Sequence, residues 1–132
     1  MAGADREVDT MPKTDVTAMP FAKLYPLLVA KAARKGRTRA EVDQVTAWLT
    51  GYTPQELSAL AQSDTSYGDF FRNAPAMNPD RVLITGKICG IRVEEIEDPL
   101  MQDIRYLDKL VDELAKGKAM EKLLPTASPP VG

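Results

Sequence analysis

The sequence predicts an all-α fold: one compact domain of five or six helices, with two helix–glycine-turn–helix units and a long C-terminal helix. Three observations predict it. A ten-residue pattern occurs twice, because Trp48-Leu49-Thr50-Gly51-Tyr52-Thr53-Pro54-Gln55-Glu56-Leu57 aligns, 39 positions later, with Lys87-Ile88-Cys89-Gly90-Ile91-Arg92-Val93-Glu94-Glu95-Ile96. In each copy an apolar residue and a small one precede a glycine. A large apolar residue follows it, and an acidic turn then leads to Leu or Ile, the mark of one helix stopping and another starting. Second, Leu100, Ile104, Leu107, Val111 and Leu114 recur in steps of four, three, four and three, which is one face of a helix. Third, Thr38 with Glu41 and Thr53 with Glu56 form capping boxes, in which each partner satisfies an orphan amide of the other.

The elements follow in order. Residues 1–19 are mostly polar without periodicity and read as a disordered tail. The helical domain spans residues 20–124, and residues 125–132 read as a Pro-rich disordered tail. The first helix is expected from about Lys23 to Lys35, because Pro26 lacks an amide hydrogen and belongs in a first turn. Its inner face is Leu24, Leu28 and Ala32 with Tyr25 and Val29, and Gly36 stops it. The second helix starts at the Thr38 cap, buries Val42, Val45 and Leu49, and ends at Gly51. Thr53-Pro54 starts a third, with Leu57, Leu60 and Ala61 inward. Ser63 to Ser66 break the chain before a short turn carrying Tyr67, Phe70 and Phe71. Asn78-Pro79 is a further cap-plus-proline start. The stretch from Arg81 to Val93 has two readings. Val82, Ile84, Ile88, Ile91 and Val93 favour strand, and Thr85-Gly86-Lys87 would turn a hairpin. The internal repeat favours helix, and helix is the expectation. Asp98-Pro99 opens the last long helix, Asp112 and Lys116 pair four apart, and Gly117 interrupts it before Met120, Leu123 and Leu124.

Composition excludes several chemistries. The chain has no histidine and one cysteine, so a Ser–His or Cys–His nucleophile pair cannot form within it. Cys89 has no intrachain partner, and multi-cysteine zinc sites are out of reach. A lone thiol suits a reducing compartment. With no apolar run near 20 residues and a polar N-terminus, the expectation is a cytoplasmic protein without membrane attachment. A net charge of −2 and a pI near 5.2 do not suit a general nucleic-acid coat.

The run Gly90-Ile91-Arg92-Val93-Glu94-Glu95-Ile96-Glu97-Asp98-Pro99-Leu100-Met101-Gln102-Asp103-Ile104-Arg105-Tyr106-Leu107-Asp108-Lys109-Leu110 is distinctive. With Trp48 to Tyr52 and Tyr25-Pro26-Leu27 upstream, the chain resembles a bacterial family known as domain of unknown function 2200, over about Phe21 to Leu124. The resemblance implies a small, mostly helical bacterial domain with no assigned activity. It also implies helix over residues 79–93, and it carries over no catalytic residue.

Each candidate site has a plainer structural reading. Ala47, Gly51, Tyr52 and Leu57 fit the spacing of a DNA-binding helix-turn-helix, as do Gly86, Gly90, Ile91 and Ile96. Yet the first unit would present only Gln55, Ser58, Ala59 and Gln62, with no cation from Thr53 to Asp69 to hold phosphates. Two helices packed round a tight turn is the favoured reading. Lys31, Arg34, Lys35, Arg37 and Arg39 form a basic patch that suits phosphate or an acidic partner, or complements a helix C-terminus. Glu94, Glu95, Glu97 and Asp98 form an acidic cluster of the kind that binds Mg²⁺ or Ca²⁺, but acids also belong at a helix start. Cys89 reads as a small core residue. Thr85-Gly86-Lys87 is not a phosphate-binding loop, because Arg81 stands where the first glycine belongs and Ile88 where a hydroxyl belongs. The Leu100–Leu114 seam is read as core packing, with a dimer contact as the alternative. The function expected is a non-catalytic binding or interaction module, with an unidentified protein partner or self-association, no cofactor and no metal. The alternative is a helix-turn-helix-like nucleic-acid binder using the basic patch.

Overall fold

The computed structural model describes residues 15–88 and 90–124. Local caps set where its helices begin. α1 is Phe21–Ala33, α2 Arg39–Thr50, α3 Pro54–Leu60 and α4 Tyr67–Arg72. After a 3-10 turn at Pro79–Leu83, β1 (Lys87–Ile88) pairs antiparallel with β2 (Ile91–Arg92). A second 3-10 turn at Val93–Glu95 leads into α5, Pro99–Ala115, and then α6, Met120–Leu123. The domain is therefore mostly helical, as expected, with one small hairpin.

Both capping boxes form. The Thr38 hydroxyl accepts from Glu41 N at 3.2 Å, and the Glu41 carboxylate accepts from Thr38 N at 2.9 Å. At Thr53 and Glu56 the same two bonds measure 3.1 and 2.9 Å. Ser66 caps α4 through Asp69 N at 3.1 Å. Asp98 sits at the N-cap of α5 without a side-chain bond.

α1 begins at Phe21, two residues before the expected start, so Pro26 lies in the second turn. Pro26 cannot donate to the carbonyl four residues back. Tertiary contacts hold the helix regardless. Phe21 N donates to Thr65 O at 2.9 Å, and Tyr67 N donates to Met19 O at 2.7 Å. The Phe21 ring stacks on Tyr25 at 4.8 Å and lies 4.4 Å from Phe70. Val16–Ala18, within the stretch read as tail, form a 3-10 turn that packs on α4. The remainder of the two expected tails, residues 1–14 and 125–132, lies outside the described residues.

The second helix–glycine–helix unit does not exist. Lys87–Ile88 and Ile91–Arg92 form the hairpin, in register Lys87↔Arg92 and Ile88↔Ile91. Gly86 at φ +110° and Gly90 at φ +81° are both in the left-handed region, which a continuous helix cannot accommodate. β-Branched Ile88 and Ile91, with Ile88 buried, then favour extended backbone. The hairpin alternative is the observed one, although its turn falls at Gly90 and not at Thr85-Gly86-Lys87. Cys89, expected as a core residue, lies outside the described residues.

α5 is the element round which the others pack. It touches α1, α2, α4 and β1. Ile104, Leu107, Val111 and Leu114 are buried as the stripe predicts, and Tyr106, Leu110 and Ala115 are buried as well. The apolar seam is thus used inside the chain. Tyr52, Tyr67, Phe70 and Phe71 extend the core with rings 4.8 to 6.0 Å apart. The hydroxyls of the buried Thr46 and Thr50 donate to the carbonyls of Val42 and Thr46 one turn back, at 2.9 and 2.7 Å, so neither is left unsatisfied. Among the described residues no helix is long and apolar enough to cross a membrane.

Candidate functional site

The basic patch is largely engaged in holding the fold. Lys31 pairs with Asp112 at 3.1 Å and so ties α1 to α5. Arg37 pairs with Glu41 at 2.8 Å, and Arg39 reaches Asp43 at 3.7 Å. Asp43 in turn accepts the Tyr25 hydroxyl at 2.6 Å. Burial and then this carboxylate push the Tyr25 phenol well above its ordinary value, so it stays a donor. Arg34 and Lys35 are exposed, and the ion pairs of the patch among the described residues involve Lys31, Arg37 and Arg39. The patch thus presents two cations outside those pairs where the sequence suggests five.

The acidic cluster is dispersed over the surface. Glu94, Glu95, Glu97 and Asp98 are all exposed. Among the described residues no group of three or more Asp, Glu, His or Cys side chains is placed to hold a metal ion. Glu94 is occupied within the hairpin, where it accepts Gly86 N at 2.9 Å and pairs with Arg92 at 3.2 Å. The backbone bond from Gly86, with the Arg92 contact added, holds its carboxyl below the usual range. Arg105 binds Asp108 at 2.8 Å. On α3, Gln55, Ser58 and Ala59 are exposed, as is Gln62 just beyond it, and that helix runs only 7 residues.

Two concave sites are formed by residues distant in the chain. One is a groove of about 230 Å³ where the Val16–Ala18 turn, α1 and α5 meet. Leu24, Leu27, Leu28 and Ile104 wall it, and the Arg105–Asp108 pair stands at its edge. Leu27 is 61% exposed there. Burial pushes the Asp108 carboxyl up, against the opposing pull of Arg105. The second is a cleft of about 220 Å³ beside the hairpin, where Lys109, Glu113, Lys118 and Lys122 converge on Ile84 and Leu123. Sequence reasoning missed both. The only local signal was the Lys109–Glu113 spacing of four, which is ubiquitous on helices.

Among the described residues six helices, centred on the long α5, with a two-stranded hairpin at their side, define the class of protein. A family model described as "Uncharacterized protein conserved in bacteria (DUF2200)" matches residues 15–125, and the chain belongs to that family. Among solved structures it is similar to one described as the crystal structure of uncharacterized protein SP1917. The two share 53% identity and a TM-score of 0.80, over 89% of this chain and 94% of that one. No curated protein matches the chain.

Proposed function

We propose that this protein is a non-catalytic binding module, whose apolar groove beside Leu27 receives an apolar side chain of a protein partner. The observation that carries the reading is the exposure of Leu27 at the mouth of a concave aliphatic surface. Covering the exposed part of a leucine is worth roughly 1–2 kcal/mol. A groove between packed elements is the usual way a partner's amphipathic segment is held. The Arg105–Asp108 pair at its edge supplies a polar rim. The lone thiol of Cys89 suits a reducing, cytoplasmic setting. The reading as a nucleic-acid binder has less support, since Lys31, Arg37 and Arg39 already face carboxylates and α3 carries no cation.

The test places a photoreactive side chain at position 27 and, as a control, at position 55, in cells of the native host. The reading expects a discrete protein adduct from position 27 that position 55 does not give. No adduct at 27, equal adducts at both positions, or an adduct removed by nuclease would count against it. Turnover of any substrate by the purified chain would also refute the non-catalytic part.

A further inference from the structure

The cleft beside the hairpin is a second site, independent of the Leu27 groove. Three ammonium groups and one carboxylate line it: Lys109, Lys118, Lys122 and Glu113. The local charge is therefore +2 in a chain whose net charge is −2. Like charges gathered in one concavity repel each other unless something compensates them, and a cleft concentrates their field. Glu113 compensates in part, with one carboxylate oxygen 3.2 Å from Lys109 and the other 3.1 Å from Lys118. Burial pushes the Glu113 carboxyl up, but its bonds to Lys118 and Lys109 outweigh that and hold it below the usual range. Lys122 is exposed, and the two Glu113 oxygens are taken by Lys109 and Lys118.

The lysines are held in place by the fold. Lys109 is only 13% exposed, and its ammonium donates to Lys87 O at 3.1 Å. Lys109 packs closely on Gly86, where a Cβ would stand 3.2 Å from both its Cε and its Nζ. With Glu113 and Lys87 served, one of the three Lys109 hydrogens is left to donate. Lys118 is fixed by the turn that ends α5. Gly117 sits at φ +98°, its N–H bonds Leu114 O at 3.0 Å, and Lys118 N bonds Glu113 O at 3.2 Å. That pair of bonds is a Schellman motif, which fixes the backbone at Lys118, and the side chain is held by its ion pair with Glu113. Leu83, Ile84, Leu110 and Leu123 also line the cleft, and of these Leu83 is the one substantially exposed.

We propose that this cleft binds a small phosphate monoester. A monoester carries about −1.5 to −2 at neutral pH, which matches the uncompensated charge. Lysine suits phosphate as a point-charge donor. Exposed Leu83 at the cleft offers an aliphatic contact to the organic group of the ester, which inorganic phosphate lacks. At about 220 Å³ the cleft is smaller than the roughly 300–1,000 Å³ of pockets for larger ligands. It exceeds the roughly 150 Å³ that holds a benzene ring. A compact ester fits, and a dinucleotide does not.

The test is titration of the full chain with phenyl phosphate, followed by calorimetry and by amide NMR shifts. The expected result is saturable binding at low millimolar concentration or tighter, with shifts at Thr85, Lys118 and Leu123. Inorganic phosphate binds more weakly, phenol does not bind, and added salt weakens the phenyl phosphate complex. Lys122→Ala weakens it about fivefold, the scale of a part-exposed charge contact. Lys118→Ala combined with Lys122→Ala removes saturable binding. Both side chains face solvent, so the fold is retained, and far-ultraviolet circular dichroism checks this. Absence of saturable binding, equal binding of phenol, or undiminished binding by the folded double variant would overturn the assignment.

Discussion

The chain turns a left-handed corner at Gly51 and another at Gly90, at φ +84° and +81°, and the two corners are built differently. Gly51 stops α2 and is pressed by the segment that returns over it. A Cβ there would stand 2.9 Å from Ala76 N and 3.0 Å from Ala76 Cβ. That segment also completes the helix end: Ala76 N donates to Thr50 O at 3.0 Å, Asn78 N to Leu49 O at 2.9 Å, and Asn78 Nδ2 to Trp48 O at 3.2 Å. Carbonyls that a helix C-terminus leaves orphaned are thus satisfied by a chain segment 26 or more residues away. Gly90 turns a hairpin in open space, with nothing within 4 Å of where its Cβ would be. It is held by Val93 N on Gly86 O at 2.9 Å and by the Glu94 carboxylate on Gly86 N. A positive-φ glycine therefore specifies a reversal and nothing about what flanks it. At Gly51 tertiary contact makes the glycine indispensable, and at Gly90 only backbone conformation does.

Gly51→Ala should accordingly destabilise most. It combines the left-handed penalty with a clash against backbone, and the expected loss is roughly 2–5 kcal/mol in denaturant unfolding. A loss under about 1 kcal/mol would mean that residues 74–78 are free to lift away. Gly90→Ala incurs only the conformational penalty, about 1–2 kcal/mol. Equal losses at the two glycines would erase the distinction drawn between them. The mildest change is expected at Glu94, whose bond to Gly86 closes the hairpin. Its folded carboxyl titrates below the ordinary value of 4.5. The stabilisation is thus present above that pH and is lost as pH falls through the lowered folded value. The protection factor of Gly86 N–H, the observed exchange rate corrected for the intrinsic pH dependence of amide exchange, should fall on acidification in the wild type, and in Glu94→Gln it should be lower already at neutral pH and vary less with pH. An unchanged profile in the variant would show that Arg92 and the backbone close the hairpin without Glu94.

The same contrast explains where sequence reasoning failed. The repeat aligned Trp48–Leu57 with Lys87–Ile96 by residue class, and that alignment held only at the glycines. In the first copy Val42, Val45 and Leu49 precede the glycine at helical spacing and are all buried, so burial and propensity agree. In the second, Gly86 lies four residues before Gly90, and Ile88 is buried while Ile91 is exposed. A second glycine with positive φ and strand-forming neighbours gave the hairpin its advantage. Of the charged sites, the patch at Lys31 to Arg39 was found as a run, but its partners were not. Asp112, which holds Lys31, is on another helix. The groove and the lysine cleft had no run to find, because their walls come from three or more elements each.

Local chemistry alone wrote the helix starts at Thr38, Thr53 and Ser66, the stop at Gly51 and the buried stripe of α5. Each rests on residues within a few positions of one another, where bond geometry and solvent preference act without reference to the rest of the chain. Tertiary structure decided that Pro26 lies inside a helix, that Lys87–Ile88 pairs with Ile91–Arg92 as strands and that three lysines meet in one cleft. Those outcomes depend on which distant surfaces are brought together to exclude water, and neither spacing nor composition records that.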